Sequence, residues 1–262
     1  IGYEALRDNV TDGGNVAVGY QSMRDAKGAE YNTAVGNNAL RGTTDTDITG
    51  DENVAIGAGA LKLNIAGSQN AAVGRYSLHY NTSGSNNTAI GYYALLDNTT
   101  ATYNTAVGSN SLENTTTAGF NTGIGANSLL TNTTGQSNTA GGVNSIYSNS
   151  TGNNNTGFGR NSLYATTGSD NTSLGYQAGD VITSGSNNVV IGSGSDPSAN
   201  SASNQIVIGY GTTGKGNNTV TIGNGDITTW TSTDDGEVDL GSSSVEFKDL
   251  YVDGVAYADA IG

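Results

Sequence analysis

The stretch NTAIGYYALLDNTTATYNTAVG, residues 87–108, carries the pattern that decides the fold. It begins and ends with a pentad of the form Asn-Thr-Ala-(Ile/Val)-Gly, and the two pentad glycines, Gly91 and Gly108, define a 17-residue period. Most of the other pentads repeat with the same period, apart from one longer, 21-residue step between Gly36 and Gly57. A short fixed period indicates a stack of coils, in which columns of equivalent residues matter more than single residues.

The residues inside each repeat predict β-structure. A 17-residue unit is too short for a helical hairpin repeat, and the pentad alternates with the period of two that a strand requires. The remaining residues are mostly Asn, Thr, Ser and Gly, which favour turns. We expect an all-β fold, a parallel β-solenoid in which each coil has a strand, a turn at the pentad glycine, a second short strand and a polar turn. Asparagines that stack on one another should hydrogen-bond along the axis, and the glycines should allow positive φ or close backbone contact.

Two apolar columns accompany the pentad glycine. A β-branched residue comes directly before it, and a leucine follows four residues later. We expect both columns to form the interior of the solenoid, with the pentad alanine on the opposite side of the strand. The predicted structural core in six successive coils is Val35, Leu40, Ile56, Leu61, Val73, Leu78, Ile90, Leu95, Val107, Leu112, Ile124 and Leu129.

Two large apolar side chains per coil make a thin core for a 17-residue unit. The chain has no cysteine, so disulfides cannot reinforce it. We therefore expect a second face to be buried between chains, most simply around a threefold axis, which predicts a homotrimer.

The net charge of the chain argues against some classes of binding partner. The 262 residues include 23 acidic and 9 basic side chains, for a formal net charge of −14. This disfavours nucleic acid and anionic lipid surfaces, both of which require clustered Lys and Arg. No run of about 18 apolar residues is present, so we expect no membrane insertion.

The placed strand, turn and columns resemble the Asn-Ser-Val-Ala-Ile-Gly type repeats of YadA-like heads in trimeric autotransporter adhesins. The resemblance covers residues 1 to about 225 and implies a left-handed parallel β-roll assembled as a trimer. The unit here is longer, and Thr replaces Val in the first strand position. The segment DLGSSSVEFKDLYVDGVAYA, residues 239–258, is similar to a pattern of phage tail fibres. Together the two resemblances imply a viral fibre more than a bacterial autotransporter.

The repeat pattern also gives the expected domain organisation. We expect a β-solenoid over residues 1–225, a linker over 226–238, and a tail fibre-like β segment forming a small cap over 239–262. Because the sequence begins in mid-repeat, we expect it to be part of a longer protein with further C-terminal sequence.

Candidate sites are few. Four tyrosines follow pentad glycines and are the best candidates for contact with a receptor glycan, since exposed rings stack on sugar faces; the alternative is that they cover coil edges or the trimer seam. Asp45, Asp47 and Asp51 lie in the 21-residue repeat and could supply oxygen ligands to Ca²⁺, although a solvated loop is the simpler interpretation. The tyrosines are Tyr20, Tyr92, Tyr176 and Tyr210.

Enzymatic chemistry is not expected. The single histidine, His79, should face solvent, and cysteine is absent, so no catalytic residue or cofactor is predicted. A threonine ladder at the first strand position could order water, as in ice binding, but we expect those threonines to be buried.

These observations predict a structural protein: the trimeric shaft of a phage tail fibre, located in the virion, which presents a tip that binds a host glycan or protein receptor. The alternative is a bacterial surface adhesin or extracellular filament subunit, and a glycan depolymerase comes third.

Overall fold

The computed structural model describes residues 1–9, 13–43 and 47–230. Within these ranges the chain contains no helix and forms one sheet of 13 parallel strands in sequence order. The residues from Ile1 to Asn224 form one compact unit. The strands are β1 (Val16–Val18), β2 (Thr33–Val35), β3 (Val54–Ile56), β4 (Ala71–Val73), β5 (Thr88–Ile90), β6 (Thr105–Val107), β7 (Thr122–Ile124), β8 (Thr139–Gly141), β9 (Thr156–Phe158), β10 (Thr172–Leu174), β11 (Val189–Ile191), β12 (Gln205–Ile208) and β13 (Thr219–Ile222).

Each strand pairs with the equivalent strand of the next coil. In β5 and β6, Ala89 lies opposite Ala106 and Ile90 lies opposite Val107. The chain therefore advances by one strand spacing for each repeat, and residues at equivalent repeat positions stack on one another. The parallel β-solenoid predicted from the 17-residue period is confirmed.

The pentad glycines turn the chain out of each strand. Gly108 and Gly125 have φ of +138° and +128°, values that L side chains rarely adopt. A Cβ atom on Gly125 would lie 2.6 Å from both the carbonyl carbon and the carbonyl oxygen of Gly142 in the next coil. Both expected uses of glycine, positive φ and close approach of backbones, therefore coincide at this position.

The asparagine that opens each pentad connects neighbouring coils, as predicted. The Asn104 backbone N–H donates to Asn87 Oδ1 at 3.0 Å, and the Asn121 N–H donates to Asn104 Oδ1 at 2.9 Å. The Asn104 Nδ2 donates to the Ala118 carbonyl oxygen at 2.9 Å, which closes the coil across its width. Each buried amide thus satisfies backbone groups that could not reach water. A second buried column at the polar turn is joined side chain to side chain: Asn81 Nδ2 donates to Asn64 Oδ1, and Asn98 Nδ2 donates to Asn81 Oδ1, both at 2.7 Å.

The interior is built from the leucine column and the small central residue of each strand. Ala89 and Ala106 are completely buried. The leucine half of the predicted core is confirmed, since its six members have no exposed surface: Leu40, Leu61, Leu78, Leu95, Leu112 and Leu129.

The β-branched half of the predicted core is wrong. These residues point away from the interior, and the three isoleucines keep 40–50% of their surface exposed, while the valines are half-buried. In β1–β10 the inner position holds only Ala, Gly or Ser, and a Cβ added to Gly123 would lie 2.6 Å from Ser111 Oγ, so these coils are too narrow there for a large side chain. In β11 and β12 the inner residue is larger, the buried Val190 and Val207. Small residues therefore take the inner position and the β-branched residues take the outer one. The misplaced residues are Val35, Ile56, Val73, Ile90, Val107 and Ile124.

The expected second strand at the leucine column is also absent from the described residues. Leu95 and Leu112 have φ of +51° and +54°, so the backbone is in the left-handed region rather than extended. Coil-to-coil hydrogen bonds nevertheless continue there, with the Leu95 N–H donating to the Ser111 carbonyl oxygen at 3.0 Å. The leucines thus enter the core from a turn.

The last described strand, β13, ends at Ile222. The predicted linker lies partly outside the described residues, and the predicted tail fibre-like segment, 239–262, lies entirely outside them.

Candidate functional site

The outward side of the sheet is the most extensive feature of the solenoid. We call it the outer sheet face and define it as the first and third residues of strands β1–β11 together with the residues paired with them in β12 and β13, which are the second and fourth. Its third column is largely Val, Ile and Phe, and its first column contains a threonine ladder. The threonines were expected to be buried, but they lie on this outward side and are partly exposed, because the strand faces are reversed from the prediction. The ladder is Thr33, Thr88, Thr105, Thr122, Thr139 and Thr156.

The size of this face is set by strand geometry. Twelve spacings of about 4.8 Å give a length of about 58 Å, and three residues of about 3.3 Å give a width of about 10 Å. The whole face, threonine column included, has a footprint of about 600 Å², and its apolar part falls within the range of about 300–600 Å² found for the largest apolar patches on typical monomers. Ile90 and Ile124 are 42% and 50% exposed within it. A face of this size and composition is a candidate for contact with another chain.

The four predicted glycan-contact tyrosines are exposed but are not brought together. They follow strands β1, β5, β10 and β12, so neighbours in the set are separated by four, five and two coils. At about 4.8 Å for each coil, the separations are about 19, 24 and 10 Å along the axis. No single sugar ring can contact two of them. Their exposed fractions are 47% for Tyr20, 43% for Tyr92, 47% for Tyr176 and 77% for Tyr210.

Three of these tyrosines have aromatic or cationic neighbours instead. Tyr20 stacks on Tyr3 with 5.4 Å between ring centroids. The Arg160 guanidinium lies 5.9 Å from the centroid of Tyr176. Tyr92 stacks on Tyr93 at 3.8 Å, and this pair borders the densest aromatic cluster of the described chain.

That cluster surrounds His79. The imidazole is 8% exposed, so the expectation that it faces solvent is wrong. It packs edge-on against Tyr76 and Tyr80, with centroid distances of 4.9 and 4.7 Å. Its Nδ1–H donates to the Gly59 carbonyl oxygen at 2.8 Å, which leaves Nε2 as the acceptor nitrogen of a neutral ring. Burial, together with the nearby charge of Lys62, lowers the pKa of His79, so the ring is neutral at neutral pH.

The cluster lines a half-open pocket of about 300 Å³, which we call the aromatic pocket. Repeat arithmetic could have found it, because Tyr76 and Tyr93 are one repeat apart and so lie in adjacent coils, where their rings are 5.8 Å apart. The sequence analysis considered only tyrosines that directly follow a pentad glycine, so it selected Tyr92 and missed Tyr76, Tyr80 and Tyr93. The pocket is lined by Lys62, Tyr76, His79, Tyr80, Tyr93 and Leu96.

No protein-family model matches the chain, and no curated protein matches it. Among the described residues, no helix is long and apolar enough to cross a membrane.

In the described part of the acidic 21-residue repeat, the Asp47 and Asp51 carboxylates do not form a cluster with each other but contact other groups. Asp47 pairs with the Lys27 ammonium at 3.1 Å, and Asp51 Oδ1 accepts the Glu30 N–H at 2.8 Å. The described ranges contain no group of three or more potential metal-ligating side chains. Asp45 lies outside the described residues, so calcium binding stays a prediction.

Another acidic pair was not singled out from the sequence. Burial, and then the neighbouring Asp180, raise the pKa of Asp196 to about 6. Burial likewise raises the pKa of Asp180 itself. These groups affect how the stability of the solenoid depends on pH.

Proposed function

We propose that this chain is the shaft of a phage tail fibre, a homotrimeric structural rod without enzymatic activity that presents a host receptor-binding tip. The observation that carries the proposal is the outer sheet face, an uncovered strip of Thr, Val and Ile that continues across all 13 strands.

The face supports self-association on grounds of size and regularity. Its footprint of about 600 Å² approaches the roughly 800 Å² that each partner contributes to a standard stable interface. A second copy of the chain carries the same columns at the same spacing, so the two faces match along their whole length. A threefold arrangement gives each chain two neighbours and covers the side chains that a single coil leaves partly exposed.

The choice of a viral fibre rests on the tail fibre-like segment at residues 239–258, which lies outside the described residues. The runner-up is a bacterial surface adhesin or an extracellular filament subunit, because the same solenoid would serve as a spacer there. A glycan depolymerase remains third. Antibodies against the chain, applied to virus particles and host cells from the same source, separate the first two: label on tail fibres supports the shaft, and label on the bacterial envelope supports the adhesin.

Light scattering coupled to size-exclusion chromatography tests the assembly. The mass of one chain is 26.4 kDa, and a trimer predicts three times that value. Incubation of the same sample with host polysaccharide tests the absence of enzymatic activity, and shortening of the polysaccharide would contradict the proposal.

A second candidate, ice binding, is favoured by one specific observation. Six successive strands, β5–β10, begin with threonine, and their side chains lie on the outward side, where a flat array of hydroxyl and methyl groups could order water. This function requires the outer sheet face to be free of other chains. Thermal hysteresis in a sample of single chains would support it, whereas a trimer without hysteresis would exclude it.

A further inference from the structure

We propose that the aromatic pocket binds a saccharide that carries a carboxylate, such as a uronic acid residue. The site lies on the flank of the solenoid and would add a glycan contact to the shaft, apart from any tip. All of the residues that line it belong to one chain.

The rings of the pocket are not equally available to a ligand. The Arg75 guanidinium lies 4.7 Å from the centroid of Tyr76 and covers one face of that ring. Tyr92 covers one face of Tyr93 at 3.8 Å. Tyr80 is 46% exposed, and among the described aromatic rings it contacts that of His79 alone, edge-on. Tyr80 is therefore the ring on which a sugar face can stack, and Tyr93 and Leu96 supply the apolar wall.

The positive charges at the pocket favour an anionic ligand over a cationic one. Three tyrosines around a pocket would also suit a quaternary ammonium group. Here, however, Lys62 lines the pocket and Arg75 lies on its Tyr76 side, so a second cation would be repelled. Among the described residues, the Lys62 ammonium has no carboxylate within ion-pair distance. It is thus available to a ligand carboxylate, although the chain as a whole is strongly acidic.

The polar groups also suit a sugar. His79 is fixed by its bond to the Gly59 carbonyl, and its Nε2 is an acceptor for a hydroxyl donor. Lys62 is a donor for a carboxylate or a hydroxyl oxygen. A volume of about 300 Å³ lies at the lower end of the range for ligand sites, about 300–1,000 Å³, which suits one sugar ring rather than a long oligosaccharide.

Saturation-transfer NMR on the full 262-residue chain tests the proposal. The probes are methyl β-glucuronide, methyl β-glucoside, which has the same ring without the carboxylate, and choline chloride as the cation. We expect the glucuronide to bind at millimolar concentration, the glucoside to bind at least about fivefold more weakly, and choline not to bind. Stronger binding of choline, or no saturation transfer to the glucuronide, would overturn the proposal.

Four variants assign the contacts. Tyr80→Ala should weaken glucuronide binding about tenfold, equivalent to about 1.4 kcal/mol, and Tyr80→Phe should retain binding within about threefold. Lys62→Met should remove the preference for glucuronide over glucoside. Tyr164→Ala is the matched control, because Tyr164 is also partly exposed but lies in a different cluster, stacked on Tyr147. An equal loss in the Tyr164 variant, or an unchanged preference in the Lys62 variant, would place the binding elsewhere and refute the proposed site.

Discussion

Replacing Asn104 with alanine should destabilise the solenoid through two buried backbone groups. The substitution removes the acceptor of the Asn121 N–H and the donor to the Ala118 carbonyl oxygen, which are both bonded at 2.9 Å. Asn104 and Asn121 are fully buried, so water cannot replace these bonds without opening the coil. Each buried group left without a partner costs about 1–3 kcal/mol, so we expect a total loss of about 2–6 kcal/mol.

The assay is guanidinium-induced unfolding followed by circular dichroism, at one fixed chain concentration because association shifts apparent stability. Asn114→Ala is the matched control, since Asn114 lies in the same repeat and its side chain forms no hydrogen bond with the described residues. Its cost should stay within about 0.5 kcal/mol. Asn104→Asp keeps an acceptor for the Asn121 N–H but buries a carboxylate beside the Ala118 carbonyl oxygen, so at neutral pH it should be at least as destabilising as Asn104→Ala. Equal stabilities of the Asn104→Ala and Asn114→Ala variants would refute the structural role of the asparagine column.

Three further predictions follow from the packing and the charges. Leu112→Ala empties a fully buried position and should cost about 2–5 kcal/mol by the same unfolding assay, whereas an unaltered midpoint would show that the leucine column is not the core. Gly125→Ala should lower expression of folded protein or reduce its stability by more than about 2 kcal/mol, because positive φ and the contact with Gly142 both oppose a Cβ atom. The raised pKa of Asp196, about 6 against 3.8 for a free carboxyl, means that the folded chain holds this proton more tightly than the unfolded chain. The stabilisation that this proton gives the folded chain is complete below about pH 4 and is lost as the pH rises to about 6. Asp196→Asn should therefore be more stable than the unmodified chain at pH 7, by roughly 1 kcal/mol given the partial solvation of Asp196. Glu30→Gln should show no such gain, and thermal melts between pH 4 and pH 7 check both variants.

The sequence predicted the features that depend on period and backbone chemistry. The 17-residue period determines which positions stack, so the strand register, the asparagine column, the turn glycines and the leucine core were all foreseeable. Column arithmetic could also have joined Tyr76 to Tyr93, and therefore could have located the aromatic pocket.

The direction of the strand faces could not be obtained from hydrophobicity alone. Ile90 and Val107 are more apolar than Ala89 and Ala106, which favours the wrong face for the interior. The width of the coil decides instead, because in β1–β10 the inner position holds nothing larger than Ala or Ser. A signal for this was present in the middle column of the pentad, which is restricted mostly to Ala, Gly and Ser, whereas the third column varies among larger residues. Restriction to small residues indicates confinement more reliably than hydrophobicity does.

This reversal changes the argument for assembly. The predicted trimer rested on a core judged too thin for its coil, whereas the structure shows an outer sheet face whose β-branched residues remain partly exposed. The same residues that were expected to fill the coil thus become the surface through which we propose that chains meet.

The molar mass of the chain in solution tests this account most directly. Light scattering at micromolar concentration should give three times the single-chain mass of 26.4 kDa for the unmodified chain. A variant with Ile90→Lys and Ile124→Lys, which places two charges on the outer sheet face without touching the core, should give the mass of a single chain with an unchanged β-sheet circular dichroism spectrum. A single-chain mass for the unmodified chain would contradict the account.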